Sequence, residues 1–418
     1  MADRTVARRG PTAARHLRLV STAELLRSPR SGSAIARRNL TLLLVPTAVL
    51  TIVGLVMILS AGSISAVEGY GTSFWYFNRQ AVYALAGVIG LVLTARLPIA
   101  FWRRAAIPLL LLLVPLMLLA LHPSVGSSLY GASRWIDLGP ITLQPAEFAK
   151  LLTICSAAAI LSRPWKDLRK PRDALLPLAP LVLAVAGVIM LQRDLGTALI
   201  VCGSAFLLLF AAGVPFRTLL WTGLAGLAGL AYSIFGTAYR RTRFLEAWLN
   251  WELDPSGAGW QLRQGLIALG SGGWFGVGLG NSRQKWDYLP NAHSDFVFAV
   301  LGEELGLVGA FAVLSLFGVL LYAGIRIAMN ATDPFARLLA AGITGWLGLQ
   351  TLVNLGAVTG LLPITGVPLP FVSFGGTALV VTLAAVGVLA SVALEPVRAG
   401  ERRRPLGRSR PAARRSGR

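Results

Sequence analysis

The stretch WDYLPNAHSDFVFAVLGEELGLVG, residues Trp286 to Gly309, sets the reading of the whole chain. It begins as a polar loop, places His293 and Asp295 at the lip of a long apolar run, and carries Glu303 and Glu304 inside that run. A charged side chain in hydrocarbon costs roughly 3 kcal/mol or more, so acids at such places pair, face a cavity or take part in chemistry. Working outward, the remaining residues read as a scaffold that holds this loop edge at the surface of a bilayer.

Composition agrees. Of 418 residues 55% are hydrophobic and 14% charged, with a mean hydropathy of +0.66, which excludes a soluble globule and indicates an all-α polytopic membrane protein. Cys155 and Cys202 both lie in apolar runs, with neither a disulfide framework nor metal-ligand spacing, and read as small core residues. The net charge of +21 invites nucleic acid as a partner, but its placement excludes one. Nine arginines lie between Arg4 and Arg38 and nine more between Arg398 and Arg418, flanking the apolar segments where membrane lipids and the positive-inside rule explain them. Residues 1–38 and 397–418 are expected to be disordered, Arg-rich cytoplasmic tails around a transmembrane unit of 39–396. The N-terminal arm is too long and polar to be a cleaved signal peptide.

Ten apolar segments are expected to span the membrane, near Leu42–Ser60, Gln80–Thr94, Ala105–Leu121, Glu147–Leu161, Leu175–Leu191, Thr197–Val214, Thr218–Phe235, Phe296–Ile327, Ala336–Leu362 and Leu369–Leu394. Several fall short of the ~20 residues a helix needs and borrow from their flanks. Basic residues gather in alternate loops, at Arg96, Arg103 and Arg104, at Arg163 to Arg172, at Arg217, and at Arg326 and Arg337. Both termini are therefore expected to be cytoplasmic, with Trp286–Asp295 outside.

Two outward loops stand out. One, His122 to Gln144, leads into PAEFAK. The other, 237–294, is the longest in the chain and rich in aromatic residues, which favours function over disorder. Within it, TRFLEAWLN and GWQLRQGLIALGSGGWFGVG read as short amphipathic helices followed by a glycine-rich turn, suited to the outer interface. No inverted repeat is apparent, which weakens a transporter reading.

Asp295 is the leading candidate for chemistry, since partial desolvation at a helix mouth suits a carboxylate to general-base work. A helix N-cap is the equally weighted alternative, for Asp295 or Ser294. Glu303 lies close to the face of Asp295, while Glu304 is turned roughly a further 100° beyond Glu303. One lines a cavity or, as readily, pairs with an arginine on another helix. Arg134, Trp135, Glu147 and Lys150 form a second cluster. Glu147 and Lys150 are spaced to pair on one helical face, and the two cations suit a diphosphate. Asp194 reads as a helix cap. Arg240, Arg241 and Arg243 read as headgroup-facing, or as recruiting an anionic lipid. GLLPITGVPLPFVSFGG, Gly360 to Gly376, is rich in Pro and Gly at membrane depth, where broken backbone needs cover, and reads as a re-entrant wall of the same cavity. No Walker loop, dinucleotide fingerprint, zinc spacing or nucleophile elbow is visible.

These stretches, with GASRWIDLGPITLQPAEFAK at Gly131–Lys150, DLGTA at Asp194–Ala198, Gln261–Gly280 and Asn354–Gly376, resemble the SEDS family (shape, elongation, division and sporulation). QKWDYLPNAHSDFVFAVLGEELG and GLLPITGVPLP are more similar to its division branch than to its elongation branch. The resemblance implies a peptidoglycan glycosyltransferase in the bacterial plasma membrane, active at the septum. It would polymerise lipid II outside the bilayer and release undecaprenyl diphosphate. Asp295 falls on the family's essential acid, with general base as its implied role. Trp135, Glu147 and Lys150 fall on other sensitive positions, and Arg134, His293, Arg240 and Arg243 are further substrate-binding candidates. Implied partners are a class B penicillin-binding protein, which supplies the transpeptidase, and other divisome membrane proteins. No cofactor is fixed, and a divalent cation assisting diphosphate departure stays open. The chain departs from the family pattern at Asn291, Ala146 and Arg193. Alternatives are a lipid II flippase, an elongation-branch polymerase, and a scaffold without catalysis.

Overall fold

The computed structural model describes residues 29–402, except 123–125, 130–131, 138, 140–141, 165–166, 253–258 and 287. In chain order its helices are α1 (Pro29–Ala61), α2 (Ser63–Tyr70), α3 (Trp75–Arg96), α4 (Ile99–Leu119), α5 (Pro145–Leu161), α6 (Pro171–Leu191), α7 (Leu195–Ala211) and α8 (Phe216–Phe235). Then come α9 (Ala238–Phe244), running on into a π-helical turn Leu245–Leu249, α10 (Trp260–Ser271), α11 (Val297–Asn330), α12 (Pro334–Val358) and α13 (Gly376–Arg402). Local sequence marks several starts. Proline opens α5, α6 and α12, where its missing N–H costs nothing, and Asp194 and Asp333 cap α7 and α12 by accepting from Thr197 N and Ala336 N.

Each of the ten expected segments holds a helix. Eight are long and apolar enough to cross a bilayer, while α5 and α7 have 17 residues each. The chain is a multi-pass membrane protein. Its outer surface carries Leu112, Leu183, Phe216 and Trp221, each more than 60% exposed, where lipid would be the solvent. Of the eight long helices, α12 and α13 are the most buried and α8 the least. Packing is close where side chains are small: a Cβ on Gly87 or Gly342 would meet Leu383 of α13 or Ile154 of α5. At one end of the bundle Arg103 pairs with Asp333, and Arg398 Nη2 donates to Ala95 O at 2.7 Å. The candidate residues lie at the other end, where α12 finishes and α11 begins.

Four expectations need correction. The first helix begins at Pro29, so residues 29–38 are helical, and α13 runs to Arg402, so 397–402 are helical too. The charge of these arginine-rich stretches read as disorder, although arginine is itself a good helix former. The loop before α5 folds into a small antiparallel sheet of β1 (Gly126–Leu129), β2 (Ala132–Asp137) and β3 (Thr142–Leu143), strands too short to show a pattern. No helix occupies Leu369–Gly375. Finally, α11 is broken at Gly306 (φ 67°, ψ −168°), where an uninterrupted run was expected.

The break is filled by the glycine-rich turn after α10. Leu307 N and Val308 N, which would bond Glu303 O and Glu304 O in a regular helix, donate instead to Gly273 O and Trp274 O at 2.9 and 3.1 Å. The two vacated carbonyls accept from Val277 N and Gly278 N at 3.0 Å each. Four backbone groups lost to the helix are thus restored by the turn, the condition for a break in a membrane helix. Gly276 and Gly306 both have positive φ, and a Cβ on either would collide with the other strand of this exchange.

Candidate active site

Asp295 lies just before α11. Phe296 holds the cap position and supplies no side-chain cap of its own. Ser294 Oγ donates to Asn291 O at 3.3 Å, and Asp295 is half-buried. Behind this turn stands α10. Trp260 Nε1 donates to Tyr288 O at 2.8 Å and Gln261 Nε2 to Pro290 O at 3.1 Å, while Gly265 leaves room for the buried Phe296 ring. Asn291 has φ 55°, a left-handed conformation that asparagine tolerates better than most residues.

The non-helical segment after α12 crosses over the acid. Pro363, Pro368 and Pro370 have no N–H to satisfy, and side chains from surrounding helices take up much of the remaining backbone. Asn354 Nδ2 donates to both Asp295 O (2.9 Å) and Val367 O (2.8 Å), and Gln350 Nε2 donates to Pro368 O at 2.9 Å. Gln80 donates to Ser373 O and accepts from Gly375 N, and Phe374 N donates to His293 O at 3.0 Å. Gly366 (φ 71°) faces the acid, where a Cβ would sit 3.5 Å from Asp295 Oδ2. On its far side the segment touches α7, with Thr365 O 2.6 Å from where a Cβ of Gly196 would be.

Two ion pairs stand around this segment. Arg134 on β2 reaches Asp194 Oδ2 at 3.2 Å, its guanidinium 5.4 Å from the Trp135 ring. Asp194 also accepts from Gln144 Nε2 and from Thr197, so the expected cap is present and carries the arginine as well. Glu147 and Lys150 pair at 2.8 Å, both within 3% of full burial. Lys150 Nζ also donates to Gln350 Oε1 at 3.1 Å and lies 5.3 Å from the Trp346 ring. The two cations therefore differ. Arg134, with its side chain 25% exposed, can meet an anion from outside, whereas Lys150 is locked inside and acts on the covering segment through Gln350.

His293 lies against Tyr76, 4.2 Å between ring centroids, and edge-on to Phe374 at 5.7 Å, with a buried Nδ1 that has no hydrogen-bond partner among the described residues. Burial pushes its pKa down to about 4, so the ring is neutral at ordinary pH. Arg240 is not brought to this place by any described contact; its Nη1 donates to Ser233 O of α8 at 3.2 Å. The side chain of Arg243 lies outside the described residues.

Glu303 and Glu304 face inward, to a partner the sequence reading missed. Glu303 accepts from Ser282 Oγ at 2.5 Å and from Arg283 N at 3.0 Å. Glu304 Oε1 accepts from Ser60 Oγ at 2.5 Å and lies 3.7 Å from the buried Lys285 Nζ. The expected arginine on another helix is thus a lysine on the adjoining loop. Gln80, Gln350 and Asn354 were also missed, although an amide inside an apolar run is itself a signal, because it must find partners there. Among the described residues no group of three or more His, Cys, Asp or Glu gathers as a metal site would. The arrangement offers a half-buried acid, Asp295, and, across the covering segment, a reachable cation, Arg134. That pairing suits proton removal coupled to stabilisation of a departing anion.

A model of the cell cycle protein family that groups FtsW, RodA and SpoVE matches residues 40–396. A probable peptidoglycan glycosyltransferase FtsW of Trichlorobacter lovleyi is 39% identical over 369 residues, 88% of this chain and 96% of its own. Stage V sporulation protein E of Bacillus subtilis is 40% identical over 352 residues, 84% of this chain and 96% of its own. A solved structure described as "Structural coordination of polymerization and crosslinking by a peptidoglycan synthase complex" superposes with a TM-score of 0.69 at 32% identity, covering 84% of this chain and 97% of that one. The rod shape determining protein RodA of Thermus thermophilus gives a TM-score of 0.63 at 31% identity, covering 84% and 96%.

Proposed function

Since the chain belongs to the FtsW, RodA and SpoVE family of cell cycle proteins, we propose that it is a peptidoglycan glycosyltransferase that polymerises lipid II during septal wall synthesis. The observation that carries the reading is Asp295, half-buried at the mouth of α11 and covered by a segment that also touches the helix capped by the Arg134 partner. Asp295 takes the proton from the acceptor sugar hydroxyl as that oxygen attacks the anomeric carbon of the donor. The anomeric C–O bond to phosphate breaks, and undecaprenyl diphosphate leaves with the electron pair. Arg134 turns from Asp194 toward the diphosphate and stabilises its charge. Lys150 and Glu147 hold the covering segment in place, Trp135 backs the arginine, and His293 supports the turn as a neutral ring.

The setting proposed is the plasma membrane at the division septum, with both termini cytoplasmic. The basic residues at the end opposite Asp295 support that orientation. The partner proposed is a class B penicillin-binding protein, because cross-linking the product needs a transpeptidase. The test is to reconstitute the chain with its penicillin-binding partner in proteoliposomes and supply lipid II. Glycan strands are expected; lipid II crossing the bilayer with no polymer formed would replace this reading by a flippase.

A further inference from the structure

Beside the acid stands an aromatic cluster with no part in the chemistry above. α2 ends at Tyr70, and Gly71 (φ 74°) turns the chain back, its N–H on Val67 O. The Tyr70 ring consequently lies flat on Trp75, 3.6 Å between centroids and 3° between planes. Tyr76 sets its edge against both and leans on His293 at 4.2 Å and Phe374 at 5.0 Å. One turn on, the Arg79 guanidinium carbon lies 4.7 Å from the Trp75 centroid, and its Nε is buried without a hydrogen-bond partner. Tyr70 itself is 51% exposed.

We infer that Tyr70, Trp75 and Arg79 form a saccharide subsite that holds the glycan portion of the substrate beside Asp295. The inference rests on the polymerase reading. A pyranose presents a face of C–H groups that packs on an aromatic ring, and hydroxyl and amide groups that suit tyrosine and arginine beside it. An interfacial aromatic belt spreads around a protein and meets headgroups. This cluster instead stacks on itself, contains an arginine with a donor to spare, and continues through Tyr76 into His293, two residues from Asp295.

The test uses the full chain with its penicillin-binding partner and compares wild type, Tyr70→Ala and Tyr70→Phe. Tyr70→Ala is expected to raise KM for lipid II about three- to tenfold and to shorten the strands, with kcat changing less, and Tyr70→Phe, which keeps the ring, to restore both. In Asp295→Ala background, binding of the N-acetylated disaccharide, read by tryptophan fluorescence, should be lost on adding Tyr70→Ala. A folded Tyr70→Ala chain with wild-type KM, strand length and disaccharide binding overturns the subsite and leaves a membrane belt only. A wild type that binds the disaccharide through Tyr70 but forms no polymer overturns the polymerase reading and not the subsite.

Discussion

Asn354 Nδ2 donates to both Asp295 O and Val367 O, so this amide ties the turn that carries the proposed base to the segment that covers it. Asn354→Ala should therefore lower kcat about tenfold or more while leaving KM little changed, since a small displacement of a catalytic group is costly. Asn354→Asp should not rescue, because a carboxylate cannot donate to two carbonyls; steady-state polymerisation rates check both. Lys150 is buried against Glu147, and Lys150→Ala leaves that acid unpaired, so a loss of about 3–5 kcal/mol in unfolding free energy is expected. His293 gives a pH dependence. Burial lowers its pKa from 6.5 to about 4, so the unfolded chain takes up a proton below pH 6.5 that the folded chain refuses. Its contribution is fully present above pH 6.5 and falls by roughly 2–3 kcal/mol as pH drops toward 4. Thermal unfolding of His293→Asn in detergent should lack that part of the acid sensitivity; an unchanged pH profile would contradict it. Some of this was legible from residue type alone: Asp194 as a cap, Glu147 and Lys150 at pairing distance, Asp295 at a mouth. Lys285 was not, because its acid is 19 residues away across a loop with no periodicity to connect them.

At the scale of elements, the broken α11 and the segment covering Asp295 matter most. Gly306 sits at φ 67° where the turn after α10 enters the helix, and Gly306→Ala should cost more than about 2 kcal/mol from backbone strain and the collision with Gly276. Hydrogen exchange should then show faster opening of 272–280 than in wild type; equal protection would mean that the turn does not depend on the break. Nothing in LGLVG announces this feature, since its neighbours are apolar and no proline marks the kink. The helices themselves were readable from apolar length, and the segment 360–376 from its prolines and glycines at membrane depth. What composition did not reveal was which helices would satisfy that segment, because Gln80, Gln350 and Asn354 come from positions far apart in sequence.

For the whole molecule, the candidate site exists only when α3, α5, α7, α11 and α12 meet around one non-helical segment, with α12 and α13 at the centre of the bundle. Membrane class followed from hydropathy, and acids at a lip pointed to the candidate site. The assembly did not, since it is made of contacts between distant segments. The proposed role of Asp295 is decided by the single-turnover rate of lipid II polymerisation by Asp295→Asn, in complex with its penicillin-binding partner and shown to bind lipid II as wild type does. Polymerisation should fall by a factor of about 100 or more with binding intact, because the amide fills the same space and cannot take the proton. Glycan strands forming at close to the wild-type rate would contradict it.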